Sequence, residues 1–316
     1  MDVTAFHHGS HVSEDGLVPA NPYCPLCGSV DRHECFPLQD GPTVVLLSCQ
    51  GCGGASVSRM PTAATLDELY AQYYDDNAVG ITAETPERLA RRIAGYLYEN
   101  PAALPRSLRI LDFGGGNGAV AYSVAHRAPA SVETVDVMVV DYDPESVVPS
   151  SARIRMRSEA DLPEPGDGST YDLVIASAVL EHVTDPMGVL RSLVSLVAPG
   201  GVLYARTPYV APFIVATRRL RVSTDFTFPA HLHDLGQPFW DSILDRLPPE
   251  LDLALIASRP SLVETGTRHI VRTIASASLK APWRVLGRRW PYVGGWEVVI
   301  RSMRNATPGA DERPVA

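Results

Sequence analysis

From residue 107 the chain alternates short apolar runs with helical spacers. The runs are LRILDF (108–113), VDVMVVD (135–141), RIRMRS (153–158), YDLVIASA (171–178) and GVLYART (201–207). Strand-length runs separated by helix-length spacers predict an α/β fold with a parallel sheet. Two later runs, LDLALIAS (251–258) and WEVVIRSM (296–303), flank an insertion long enough for a helix, and predict a further pair at the sheet edge, one strand of it antiparallel.

Ahead of this region the periodicity is helical. In TLDELYAQYYDD (65–76), Thr65 and Glu68 form a capping box and Leu66, Leu69, Tyr70 and Tyr73 share one face. A second helix over 85–100 takes Thr85 as cap, Pro86 in the first turn, and Leu89, Ile93, Tyr96 and Leu97 as its stripe. The expected layout is a flexible tail over 1–20, a small module over 21–62 and a helical connector over 63–105. A main domain over 106–304 follows, with insertions at 208–250 and 259–294, and then a tail over 305–316.

Composition narrows the class. The 316 residues are 45% hydrophobic and 20% charged, enough to bury a core, and the net charge of −9 argues against a nucleic-acid coat. The charge is uneven: residues 1–207 are acidic, whereas 208–304 carry thirteen basic against eight acidic residues. An anionic ligand could be met there, with Arg268, His269 and Arg272 as one candidate cluster. No apolar run reaches the ~18 residues of a membrane span, and the N-terminus lacks a secretion signal. A cytoplasmic protein with no membrane partner is therefore expected.

Four of the five cysteines fall in two CxxC pairs, Cys24/Cys27 and Cys49/Cys52, separated by 21 residues. That spacing matches a four-thiolate zinc ribbon, with Gly28 and Gly53 able to turn the chain behind each pair. Two disulfides or inert buried thiols are the other readings, and a cytosolic location disfavours the first. Four cysteine ligands leave no position for water, so the expected Zn²⁺ is structural.

The first strand of the sheet runs into Asp112-Phe113-Gly114-Gly115-Gly116-Asn117-Gly118-Ala119, whose glycines at 114, 116 and 118 allow close approach of a ligand at a helix start. Asp141 ends the second strand, where a carboxylate can accept from the two hydroxyls of a ribose. Asp112 lies inside the loop, unfavourable for a pyrophosphate but compatible with a cationic ligand. YDLVIASAVLEHV precedes a helix capped at Asp185-Pro186, and Ala198-Pro199-Gly200-Gly201 ends that helix before the fifth strand.

As a set these features over about 108–207 resemble the class I S-adenosylmethionine-dependent methyltransferases. With the CxxC pairs in front, the whole resembles zinc-ribbon members that modify small molecules in natural-product, antibiotic and surface-glycan pathways. The resemblance implies a Rossmann-like methyltransferase sheet and S-adenosyl-L-methionine as cofactor. It implies that Gly114, Gly116 and Gly118 line the methionine moiety with Asp112 orienting the loop or its ammonium. Asp141 would bind the ribose, Tyr142 would pack on the adenine, Ser158 or Glu159 would contact its amine, and Ser177 would flank the methyl. For the base that a hydroxyl acceptor needs, His182, His231 and His233 are the candidates, with Asp234 as an orienting carboxylate. A small-molecule acceptor is expected, methylated on oxygen before carbon or nitrogen. A zinc-finger rRNA methyltransferase and a non-catalytic scaffold are the alternatives.

Overall fold

The computed structural model describes residue 4 and residues 9–75, 86–100, 104–142, 150–164, 168–217, 226–262 and 270–304. Residues 9–20, expected as tail, are mostly exposed but are held at two points. Val12 and Leu17 are buried, and the Gln39 side chain accepts from the Val12 amide at 2.8 Å and donates to its carbonyl at 2.9 Å. Two apolar side chains are enough to fix this segment against the ribbon, whose own small core needs them. The ribbon strands β1 (Arg32–Gln39), β2 (Val44–Cys49) and β3 (Ala55–Val57) form an antiparallel meander.

Helix α1 (Ala63–Asp75) starts one turn before the expected box. Thr62 caps it by accepting from the Thr65 amide at 3.3 Å, while the Thr65 hydroxyl donates to the Gly16 carbonyl. The α1 side chains from residue 72 onward, Tyr73 included, lie outside the described residues, as does Thr85. Helix α2 (Pro86–Leu97) buries Leu89, Ala90, Ile93, Ala94 and Leu97 against the sheet, with Tyr96 only half-buried.

The main sheet comprises β4 (Ser107–Phe113), β5 (Thr134–Val140), β6 (Ile154–Glu159), β7 (Tyr171–Ser177) and β8 (Val197–Tyr209) as its parallel part. Helices α3 (Ala119–Ala125), after β4, and α4 (Pro186–Ser195), after β7, pack on opposite faces. Asp185 caps α4 through the Gly188 amide at 2.9 Å. The Ala198–Gly201 turn falls inside β8 and not at the end of α4, because the strand begins early and bulges opposite Tyr171.

Beyond β8 come α5 (Ala211–Thr217), the two-residue β9 (His233–Asp234), α6 (Gln237–Asp241), β10 (Leu253–Pro260), α7 (Ile270–Lys280), α8 (Trp283–Leu286) and β11 (Gly294–Ser302). The sheet order is β10-β11-β8-β7-β4-β5-β6, with β11 antiparallel to both β8 and β10. The expected antiparallel addition on this side is thus present. On its α2 face, the fully buried Glu297 of β11 is clamped by Arg92 and Arg259 and accepts from the Tyr204 hydroxyl at 3.1 Å. The chain order reverses between β4 and β7, so a crevice opens at the carboxyl ends of those two strands, the usual ligand position in such sheets.

Strand β9 belongs to the ribbon's sheet. It pairs with β3 through Ala55↔Asp234 and Ser56↔His233, giving the order β1-β2-β3-β9. The expected boundary between the ribbon and the 208–250 insertion is therefore bridged by shared hydrogen bonds.

Candidate active site and metal centre

Each CxxCG knuckle folds alike: the Gly28 amide donates to the Cys24 carbonyl and the Gly53 amide to the Cys49 carbonyl, both at 2.8 Å. Gly28 and Gly53 have φ of +75° and +71°, and a Cβ on Gly53 would meet Pro238 of α6 at 2.4 Å, so this turn needs glycine for two reasons. The four sulfur atoms lie within 4.8 Å of one another, with Cys24–Cys52 at 3.8 Å and Cys27–Cys49 at 3.5 Å. Zinc–sulfur bonds of about 2.3 Å at tetrahedral angles require sulfurs about 3.8 Å apart, so the donor set fits Zn²⁺. All four cysteines are free thiols, which removes the disulfide reading; Cys35 stands apart.

At the crevice, the loop after β4 folds back over Asp112. Gly114 has φ of +67°, and a Cβ there would lie 2.5 Å from the Val179 side chain. That contact joins the glycine loop to the turn after β7. Asp141 fixes the other side, accepting from the Gly116 amide at 2.7 Å and the Tyr142 amide at 2.8 Å. Gly116 and Gly118 also hold positive φ.

Asp112 is buried, and its Oδ2 has no hydrogen-bond partner among the described residues. Burial, then the charge of Asp141, pushes its pKa up to about 7. A carboxyl raised in the folded state contributes stability below its unfolded pKa that is lost as pH rises through about 7. Asp112→Asn is accordingly expected to stabilise the ligand-free protein at pH 8 by on the order of 2–4 kcal/mol, and not at pH 4. Urea denaturation at both pH values checks it, and equal gains at both would refute the assignment.

Tyr142 is about half exposed (54%), and its ring lies 5.9 Å from that of Tyr70 on α1. Ser158 is half-buried at the end of β6, its Oγ without a partner among the described residues, whereas Glu159 points to solvent. Ser177 ends β7 opposite Arg206, and Ala178 follows with φ of 59°, its amide donating to the Arg206 carbonyl at 2.8 Å. A non-glycine residue held at positive φ stores strain of about 1–3 kcal/mol, which only a closely determined turn sustains.

That turn carries Glu181 and His182. The His182 Nδ1 donates to the Ala230 carbonyl at 2.9 Å, which leaves Nε2 as the lone-pair nitrogen. Burial holds His182 below the usual histidine pKa, so it is neutral at pH 7. Its Nε2 is 4.0 Å from Glu181 Oε1, and the His231 ring packs edge-on to it at 4.9 Å. Glu181 is buried, its Oε2 lacks a partner among the described residues, and burial pushes its pKa up to about 8. Tyr70 completes the group: burial, then the nearby Glu181 charge, raises its pKa to about 12.

His233 is not in this group. Its Nδ1 accepts from the Ser56 hydroxyl at 2.8 Å and its Nε2 donates to the Val183 carbonyl at 2.9 Å. With both nitrogens engaged and burial pushing its pKa down to about 4, it is a neutral strut and has no lone pair for a substrate. Asp234 orients no histidine either; it accepts from the Val210 and Ala211 amides at the start of α5. Arg268 and His269, and the side chain of Arg272, lie outside the described residues. Two site residues escape the sequence reasoning: Glu181 stands beside a more conspicuous histidine, and Tyr70 reads as part of an apolar stripe.

A methyltransferase-domain family model matches residues 85–293. The ubiquinone biosynthesis O-methyltransferase of Xanthomonas campestris pv. campestris (strain B100) is 36% identical over 114 residues, 33% of this chain and 44% of that protein. Methyltransferase str3 of Strobilurus tenacellus is 32% identical over 143 residues, 45% of each. The match thus spans less than half the length of these relatives. Among solved structures, the plantazolicin methyltransferase BpumL in complex with SAH overlays with a TM-score of 0.44 at 14% identity, over 74% of this chain and 89% of that one. With the family model covering about two-thirds of its length, the chain belongs to the methyltransferase-domain family, and it carries ahead of that domain a four-cysteine module whose donor set fits zinc.

Proposed function

We propose that the protein methylates a hydroxyl group of a small molecule, with His182 as the base. The supporting observation is the pairing of a neutral His182, its Nε2 lone pair set by the Ala230 carbonyl, with buried Glu181 at the carboxyl end of β7. When bound, S-adenosylmethionine supplies a methyl already activated by its sulfonium. Fit to that group is supported by the glycine loop and by two buried oxygens without protein partners among the described residues, Asp112 Oδ2 and Ser158 Oγ.

In this reading Gly114, Gly116 and Gly118 cradle the methionine end, with Asp112 toward its ammonium. Asp141 holds the ribose hydroxyls through lone pairs left over from its two amide contacts, and Tyr142, steadied by Tyr70, covers the adenine. Ser158, the more enclosed of the pair Ser158 and Glu159, takes the adenine amine. Ser177 and Ala178 border the reacting atoms. As the acceptor oxygen attacks, its proton passes to His182 Nε2, and the resulting imidazolium faces Glu181, whose ionisation it favours. His231 closes the same wall.

Replacing Asp141 by alanine is expected to weaken S-adenosylmethionine binding at least tenfold in titration calorimetry, because a charge-assisted pair of hydrogen bonds is lost. It would also free the Gly116 amide, so thermal unfolding is measured in parallel. Unchanged uptake of the cofactor would remove the basis of the reading. The acceptor is best sought as oxygen nucleophiles of natural-product or glycan type, with product identified by mass.

A further inference from the structure

Helix α7 is mounted the wrong way round for a helix of a soluble domain. Its less exposed positions are Thr273, Ser276 and Lys280, a polar stripe at helical spacing, and Lys280 Nζ donates to the Ser261 carbonyl at 2.6 Å. The outward positions are mostly apolar: Ile270, Val271 and Ile274 are 58, 78 and 59% exposed, with Ser278 the polar residue among them. The following α8 packs Trp283 inward but also leaves apolar side chains out, with Val285 87% exposed and Leu286 beside it. Side chains standing this far out of the surface do not line a cavity, so a flat partner suits them better than an enclosed ligand.

The surrounding charge is one-sided. Between residues 261 and 293 the chain has six basic residues and one acidic, in a protein of net charge −9. Arg284 and Arg289 are exposed next to Val285 and Leu286, while the exposed Arg288 pairs with Asp241 at 3.0 Å. Trp283 and Trp290 anchor the turn: Trp283 packs edge-on to Trp296 at 5.7 Å, and Trp290 Nε1 donates to the Leu279 carbonyl at 2.7 Å. Direction matters too. β10 runs parallel to β8, so the segment leaving its carboxyl end and re-entering at Gly294, beside Tyr209, lies at the same end of the sheet as the crevice.

We propose that α7 and α8 form an interfacial docking surface for an anionic lipid bilayer, which presents the crevice end of the sheet to the membrane. Outward isoleucine, valine and leucine enter the headgroup boundary while the arginines meet lipid phosphates. The expectation of no membrane partner rests on the lack of a span, and a surface-bound helix needs none. A second copy of the chain is the less suited occupant, since a symmetric contact would set these arginines against each other.

The test is co-sedimentation of the full chain with phosphatidylcholine vesicles containing about one-third phosphatidylglycerol, against pure phosphatidylcholine. Binding is expected only to the anionic vesicles, and it should fall with added salt. Ile274→Asp with Val285→Asp should reduce it about tenfold or more, and so should Arg284→Glu with Arg289→Glu. These positions are exposed, so thermal unfolding and S-adenosylmethionine binding should match the parent protein, which separates this proposal from the methyl-transfer reading. No sedimentation with anionic vesicles overturns it. So does binding that survives both double substitutions, or a dimer in sedimentation velocity that the apolar substitutions dissociate while vesicle binding is absent.

Discussion

Stripping the metal with a strong chelator, or replacing Cys49 by serine, is expected to unfold the knuckle end of the ribbon. The loss should be on the order of 10 kcal/mol of local stability, the scale on which four-thiolate sites hold small modules together. The knuckle end has little core of its own, whereas the strands share a separate one in which Phe36, Leu38, Val44 and Leu46 pack with Phe226 and Phe228. Cys24, Leu26, Cys49 and Cys52 are buried together against Phe239 and Leu235, so the thiolates are themselves much of the apolar contact. Damage should not stop at residue 62. The Val57 amide donates to the Leu232 carbonyl at 3.0 Å, and the Leu232 amide to the Glu181 carbonyl at 2.8 Å, a short path from ribbon to the candidate site. Hydrogen exchange should therefore quicken in β3 and in 230–234 as well as in the knuckles. Unchanged protection after complete metal removal, verified by elemental analysis, would show that the ribbon is held by packing alone.

Substituting His182 by alanine should lower kcat by about 10²–10⁴, the range for a general base, with little change in S-adenosylmethionine affinity. The pH profile gives a sharper reading. A base must be unprotonated to act, and burial places the His182 pKa below the usual histidine value. The wild-type rate should thus rise with pH on the acidic side of 6.5 and level off before neutrality, and the alanine variant should lose that limb. The same group adds to stability in the same sense: its neutral form is preferred when folded, so stability falls as pH drops through 6.5. Unaltered turnover in the variant would move the base elsewhere, His231 being next in line.

Much of the architecture is legible because its signals are local. Every run named between 108 and 207 is a strand of the sheet, since the apolar runs are of strand length and RIRMRS alternates apolar with charged positions at the period of a strand. The CxxCG pairs announce their own turns. The Thr65 box fails because Thr62, three residues earlier, offers the same hydroxyl, and only the Gly16 carbonyl decides between them. The role of His233 is illegible for a different reason. Its partner Ser56 is 177 residues away, and nothing in the HLHD stretch tells a strut from a base. Glu181 could be weighed from the LEHV segment itself, but its protonation depends on burial that no window of sequence reveals.

The two residues of β9 carry a consequence for anyone wishing to cut or recombine this protein. A truncated chain begun after residue 62 would strip β9 of the neighbour that covers its backbone, while a transplanted ribbon would arrive with β3 as a bare margin. Any functional hybrid would have to exchange the stretch around 226–240 together with the cysteine module, so the two parts are inherited as a single unit even though they lie far apart along the gene.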